Sequence, residues 1–587
     1  MLRIVRKSVQ MVGVYSGWKP AADWETKLST IAVLPTSASP HTTSFKGRAL
    51  SGETGGLGVR SGPSRGLPLF CPMQRQPSPA QGNRTRACFK MGVSTLLQLL
   101  LPLAAASLQP SPDFGVTVNG EAAFVYMATV PGPTGSGHMN ASFVHVTLPA
   151  AAAGGDNTGS SGAPAHVQVT LLPEGSPTPT TAALVPRGSP AVTVGGGGAA
   201  AAPTLSFALG APGHFILELG GSFNVTTLST GLMVFVDTAE EEAAARAPSP
   251  GDEGVQAYFG PGVHTIPGSG VLALRNDSTV YLAAGAVVLG QIAGSNVRNV
   301  SVRGPGILAA AWLPGDALPA AEAACAHCGC PGTNAVHITN ATDVRIEGIT
   351  IVHATSWLVR LVGVARARVR GIRELGWRCN NDGVDIVSSQ DVVVERSFIR
   401  SADDAIAVKG LDPSRDTAGV VVRDCLLFPH GNCMEIGFEL WNDKVTNVTF
   451  ERNVCLHQMM NAFSIHNGGH AAVSGVTYRD ILLEGVLGPL SHDESYGYKL
   501  LDLQVSQGKY SGPDMARRGS ISDVVYSNVT YRPNGLQWVA SRMVGNSTAH
   551  AVDGVHFDGF LLNGTAVASL AQVGTLSNAF VRGVTFA

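Results

Sequence analysis

The chain has 587 residues, 44% hydrophobic and 14% charged, which excludes a disordered polymer and leaves room for a large core. Its 70 glycines lack a three-residue period, so it is not collagenous. Residues 1–90 carry 13 Lys and Arg against 3 Asp and Glu, leaving the remainder at net −12, a balance that argues against nucleic-acid binding.

Residues 1–90 are rich in Ser, Gly, Pro and Arg without sustained periodicity and read as a disordered extension. An organelle transit peptide would share that composition. The only long apolar run, from Val93 to Ala106, has 14 residues, too few to span a bilayer. Arg84, Arg86 and Lys90 precede it and Ala104-Ala105-Ala106 closes it, so 91–107 reads as a secretory signal, with a buried apolar helix as the alternative. Nine N-x-[ST] sites follow Met91, at Asn140, Asn224, Asn276, Asn299, Asn340, Asn447, Asn528, Asn546 and Asn563. Seven cysteines follow as well: Cys325, Cys328, Cys330, Cys379, Cys425, Cys433 and Cys455. The run Cys325 to Cys330 has zinc-ligand spacing. No second cluster accompanies it, and an oxidising compartment favours loop disulfides, with the odd thiol left over.

Between 108 and 240, short alternating runs such as His166-Val-Gln-Val-Thr170 and Phe215-Ile-Leu-Glu-Leu219 are separated by turn-rich segments. They predict a small antiparallel β-sandwich. Residues 241–254 form a charged, Ala/Pro-rich linker. From 255 to 587 one segment recurs, beginning at Val300, Val344, Ala367, Val392, Val420, Val448, Val476, Val524 and Val555, with a tenth at Phe580–Gly583 if Ala579 is its anchor. From Val344 to Val476 the steps are 23, 25, 28, 28 and 28 residues. A period of this size built from short strands, without amphipathic helices, predicts an all-β fold whose main body is a right-handed parallel β-helix. A long antiparallel sandwich is the alternative.

Stacking the coils predicts a second strand in each, at Ala335–Ile338, Trp357–Arg360, Gly383–Ile386, Ala405–Val408, Met434–Ile436, Ala462–Ile465 and Leu501–Leu503. Asp382 and the Asp403-Asp404 pair enter neighbouring strands, one rise of about 4.8 Å apart. Three carboxylates on one face force at least one pKa upward, which suits acid–base work on a glycosidic bond. Strand-capping aspartates or a Ca²⁺ site are the alternatives.

Asn380-Asn-Asp-Gly383 followed by Ser401-Ala-Asp-Asp-Ala405 resembles the polygalacturonase family, glycoside hydrolase family 28. The dextranase family, glycoside hydrolase family 49, is similar in fold, aspartates and sandwich leader. The resemblance implies a secreted, cell-wall-directed inverting hydrolase of a polysaccharide, with no cofactor, no metal, no membrane span and no nucleic-acid partner, acting as a monomer. By position, Asp403 would be the general acid, and Asp382 and Asp404 would hold and deprotonate water. The family's Gly-His-Gly is Gly431-Asn-Cys433 here, so Asn432 replaces its histidine, and His430 could substitute. Its Arg-Ile-Lys is Ser464-Ile-His466, which removes the pair that grips a uronate carboxylate and argues against homogalacturonan. Glu435 and Glu439 make the cleft more acidic, which suits a neutral or cationic sugar. Asn381, Asn432, Glu435 and His466 are expected at the substrate, with Lys409 as a hydroxyl clamp and Trp357 as a stacking platform. A non-catalytic carbohydrate-binding β-helix, a dextranase-like hydrolase of a neutral glucan, and a lyase using Lys409 as base are the competing readings.

Overall fold

The structure, a computed structural model, describes residues 108–587 apart from 132–137, 149–163, 173–175, 177, 196–201, 221–230, 239–246, 311–333, 355, 377–379, 459, 487–498, 507–509, 513, 515 and 534–539. The extension, the signal-like segment, the 325–330 cysteine run and Cys379 lie outside the described residues. No helix among the described residues is long and apolar enough to cross a membrane.

The alternating runs before residue 240 form two sheets. One is six-stranded, in the order Leu108–Pro110, Val125–Pro131, His138–Leu148, Gly231–Thr238, Gly213–Leu219 and Ala182–Val185. The other is five-stranded: Glu121–Ala123, Phe114–Val118, Ala165–Leu171, Thr204–Leu209 and Thr193–Gly195. Their facing side chains, among them Val167, Val169, Leu205 and Val234, make one core. One pairing departs from the antiparallel expectation. Gly231–Thr238 runs parallel to His138–Leu148. Between them the chain crosses to the five-stranded sheet and returns, which is the kind of connection a parallel pair requires. Gly231–Thr238 is also apolar on both faces, because the six-stranded sheet lays its other side, through Phe143, Met233 and Phe235, on the β-helix residues Leu289, Phe398 and Phe428. Arg373 pairs with Asp237 and His457 with Glu218 across the same boundary.

From Val255 the chain winds into a right-handed parallel β-helix. The anchors align residue for residue: Val300 with Val344, then Ala367, Val392, Val420, Val448, Val476, Val524 and Val555. The last coil corrects the expected register. Val555 pairs with Val584, not with Ala579, because Val581–Phe586 starts later than the sequence pattern suggested.

The backbone explains why the segments repeat. The residue before each of these ten anchors has positive φ, from Asn299 at 49° to Gly419 at 68° and Gly583 at 64°. The residue four after each anchor up to Val555 does too, from Gly304 through Asp424 to Gly559. Gly, Asn and Asp tolerate this region best. Two of the Arg residues that stand there bond an acid in the equivalent turn one coil back, Arg366 with Asp343 and Arg452 with Asp424. Inside the coil, the position two after the anchor is aliphatic early (Val302, Ile346, Val369, Val394, Val422) and aromatic late. Phe450, Tyr478, Tyr526, Phe557 and Phe586 stack at 4.9–5.1 Å. Each such contact contributes on the order of 0.5–1.5 kcal/mol beyond area burial. The lumen also holds a disulfide between Cys433 and Cys455 and the buried free thiol of Cys425. This bond lies in the core, and the loop disulfides expected at 325–330 fall outside the described residues. Both cysteines project inward from consecutive coils.

Candidate active site

The strands Val359–Val362, Val384–Val387, Ile406–Gly410, Met434–Leu440, Asn461–Asn467 and Lys499–Val505 are successive neighbours in one sheet. Alternation divides their side chains. Val384, Ile386, Ile406, Val408, Met434, Ile436, Phe463, Ile465, Leu501 and Leu503 fill the lumen. The alternate positions carry charge: Asp385, Lys409, Glu435, His466 and Asp502.

The turns entering these strands hold the three aspartates. The Gly383 N–H donates to the Asp404 carbonyl, and the Ala405 N–H donates to the Asn432 carbonyl. This places Asp382, Asp404 and Asn432 in one column. Asp382 and Asp404 are buried, and Asp403 is partly exposed. The Asp404 Oδ1 accepts the Asn432 backbone N–H at 2.8 Å, which orients that carboxylate. Gly431 is required where it stands: a Cβ there would lie 2.6 Å from the Asp403 carbonyl carbon and 2.8 Å from its Oδ1.

Burial and mutual repulsion raise all three pKa values. Burial comes first for Asp403, then the charge of Asp382, bringing it to about 7. Asp382 and Asp404 are held well above the ordinary carboxylate range, by burial first and then by Asp385 and Asp403 respectively. Lys409 opposes the rise in each case.

The structure brings the three aspartates together with Lys409 and Glu439, and it sets the other expected residues behind them. Asn381 is fully buried, and its Nδ2 donates to the Ser356 carbonyl at 2.5 Å. Asn432 accepts from Asn461 Nδ2 through its own Oδ1 at 2.7 Å. Glu435 is buried and bonds His466 Nδ1 at 2.9 Å. The other ring nitrogen of His466 lies 3.2 Å from Asp502, and Phe438 stacks on the ring at 4.2 Å. His466 therefore sits in an ion network. The Trp357 ring is half-buried, with Lys409 and Arg360 each 4.9 Å from its centroid. His430 bonds the Ala402 carbonyl, and burial followed by Arg400 lowers it to about 4.

Sequence reasoning missed Asp385, Asp502 and Arg542. Asp502 receives a bidentate grip from Arg542 at 2.8 and 2.7 Å. The available signal was alternation: Asp385 and Asp502 are charged residues at outward positions of strands already recognised, whereas the strand of Arg542, Ser541–Val544, was itself not recognised.

Residues 281–570 match the family model described as glycosyl hydrolases family 28. An endo-polygalacturonase of Pectobacterium carotovorum subsp. carotovorum is 27% identical over 159 residues, covering 27% of this chain and 35% of that protein. A polygalacturonase of Arabidopsis thaliana is 21% identical over 170 residues, covering 28% and 36%. The matches thus span about a third of the length of these curated relatives. Dex49A from Penicillium minioluteum superposes with a TM-score of 0.53 at 14% identity, covering 83% of this chain and 96% of that one, a likeness of fold.

Proposed function

We propose, from the match of residues 281–570 to the glycosyl hydrolases family 28 model, that the protein is a secreted, inverting hydrolase of O-glycosidic bonds in a polysaccharide. The observation that carries this reading is the three-aspartate cluster, in which the partly exposed Asp403 keeps its proton up to about pH 7. In this mechanism Asp403 protonates the leaving oxygen. Asp382 and Asp404, one coil apart, hold the attacking water and take its proton. No carboxylate is assigned as a nucleophile, so the anomeric configuration inverts.

The substrate is a polysaccharide other than plain homogalacturonan. Lys409 lies against Asp382, Asp385 and Glu439, and His466 lies between Glu435 and Asp502. Neither cation is left to pair with a uronate carboxylate, which favours a neutral sugar at the cleavage point. The test is digestion of neutral glucans, substituted pectins and homogalacturonan, with the anomers followed by NMR from the first minutes. Plain reducing ends of inverted configuration are expected. Retained configuration, or unsaturated ends absorbing in the ultraviolet, would overturn the mechanism.

Export is supported by exposure. Asn276, Asn299, Asn340, Asn447, Asn528, Asn546 and Asn563 all lie on the surface, accessible to glycosylation. Amino-terminal sequencing of the secreted protein is expected to start near Ser107 or Leu108. A mature chain that keeps residues 1–90 would contradict this.

A further inference from the structure

The three aspartates carry the same functional group, yet one must hold a proton while another accepts one. Something must divide the roles, and Lys409 is the residue placed to do it. It projects outward from Ile406–Gly410 and is only 5% exposed. Its Nζ lies 3.1 Å from Glu439 Oε2, 3.6 Å from Asp382 Oδ2 and 3.9 Å from Asp385 Oδ1. The Trp357 ring covers it at 4.9 Å. Three carboxylates and an indole surround the buried ammonium, which donates one hydrogen bond, to Glu439, and faces Asp382 and Asp385 at ion-pair distance. The contacts are also unequal: Lys409 lies within 4 Å of Asp382, while Asp403 is not among its ion-pair partners.

We propose that Lys409 is a positioning residue that favours the ionised form of Asp382, the base, over that of Asp403, the acid, and that it does not clamp substrate. This inference rests on the hydrolase reading of the site. Burial first and then Asp385 push the Asp382 carboxyl up, and Lys409 pulls it back down. The groups acting on Asp382 are Asp385 on its own strand, Lys409 and Asp404 on the next coil, and Glu439 on the coil after. Asp382 in turn raises Asp403, which shares its turn with Asp404. Lys409 is the one cation in that set. Glu439 competes with Asp382 for it. A cation within about 4–6 Å typically lowers a carboxyl pKa by about 1–3 units.

The experiment is the pH profile of kcat/KM for Lys409→Met, Lys409→Arg and Glu439→Gln. In Lys409→Met the acid limb is expected to move up by about 1–3 pH units, with KM nearly unchanged. Lys409→Arg retains the charge and should stay near the parent profile. Glu439→Gln should move the acid limb the other way, downward, because Asp382 loses a competing carboxylate and gains a larger share of the cation. An unmoved acid limb together with a much higher KM in Lys409→Met would identify a substrate clamp and overturn the proposal. A melting series provides a readout independent of turnover. Without Lys409 the buried carboxylates ionise without a counter-charge, so the loss in melting temperature should widen from pH 4 to pH 8. A gap of constant size overturns the pairing. If the parent protein cleaves no glycan, the hydrolase reading fails separately, and the melting series still decides the pairing.

Discussion

Asp403→Asn is expected to cost about 10²–10⁴-fold in kcat while substrate binding survives. The amide keeps the shape of the side chain and loses only the transferable proton. Asp403 suits this role because it is the partly exposed member of the cluster, and burial with the nearby Asp382 charge raises it to about 7. Proton donation requires the protonated form, so kcat/KM should fall as pH rises through about 7. That alkaline limb should vanish in the residual activity of Asp403→Asn. Asp382→Asn and Asp404→Asn should each remove much of the activity, because the water needs both a base and a fixed orientation. Their effects should combine non-additively if the two carboxylates hold one water. Turnover close to the parent level in Asp403→Asn, measured beside retained binding of the same glycan, would remove this residue from the mechanism. Loss of binding along with turnover would instead mark it as a subsite contact.

The repeat was legible because two local constraints agree in every coil. Inward and outward residues alternate, and turn positions of positive φ flank the strand. Together they fix an anchor to the residue, and the nine anchors from Val300 to Val555 pair as expected. The tenth slipped because Phe580 and Val581 imitate the start of a unit, whereas the Phe586 ring, stacked on Phe557, reveals the true register. The parallel pair in the sandwich was not legible, since a crossover through a second sheet leaves no mark in either strand's composition. The lumenal disulfide was hidden for a similar reason: spacing along the chain does not tell which cysteines point inward at the same level.

At the site, the residues singled out in the sequence lie near one another, and several sit deeper than expected. Asn381, Asn432, Glu435 and His466 stand at outward or turn positions, which made them look available to substrate. Each is covered by a neighbouring coil: Asn381 by the Ser356 carbonyl, Asn432 by Asn461, Glu435 by His466, and His466 by Asp502 and Phe438. In a parallel stack a polar side chain meets its partner one coil away, some 25–40 residues along the sequence. The next coil's side chain therefore decides whether it is a surface group or a buried one. Asp502 follows His466 by 36 residues, beyond the regular 28-residue step, so the partner that most changes the meaning of His466 falls where the period is weakest.

His466→Ala is expected to destabilise the β-helix by about 3–5 kcal/mol, the usual cost of removing one partner from a buried ion pair. Glu435 and Asp502 are both essentially inaccessible, and the histidine lies between them. Asp502 would keep Arg542 and Lys499, whereas Glu435 would lose the ring nitrogen that bonds it, so the main cost falls on Glu435. Burial alone favours a neutral ring, but Glu435 and then Asp502 overcome it and raise His466 to about 10. A folded pKa above the ordinary value of 6.5 means the stabilisation is complete below about pH 6.5 and is lost as pH rises through about 10. At the other end, burial opposes ionisation of Asp502, but His466 and Arg542 outweigh it and hold the pKa at about 2, so its share is lost only as pH falls toward 2. The difference between parent and His466→Ala in urea denaturation should therefore be flat from about pH 4 to pH 6.5 and shrink as pH approaches 10. Glu435→Gln in the His466→Ala background should recover part of the loss, because an amide is far cheaper to bury than an unpaired carboxylate. A deficit under about 1 kcal/mol, or one with no pH dependence and no recovery by Glu435→Gln, would mean that the three groups are not bound into one network. His466 would then again be available to bind substrate.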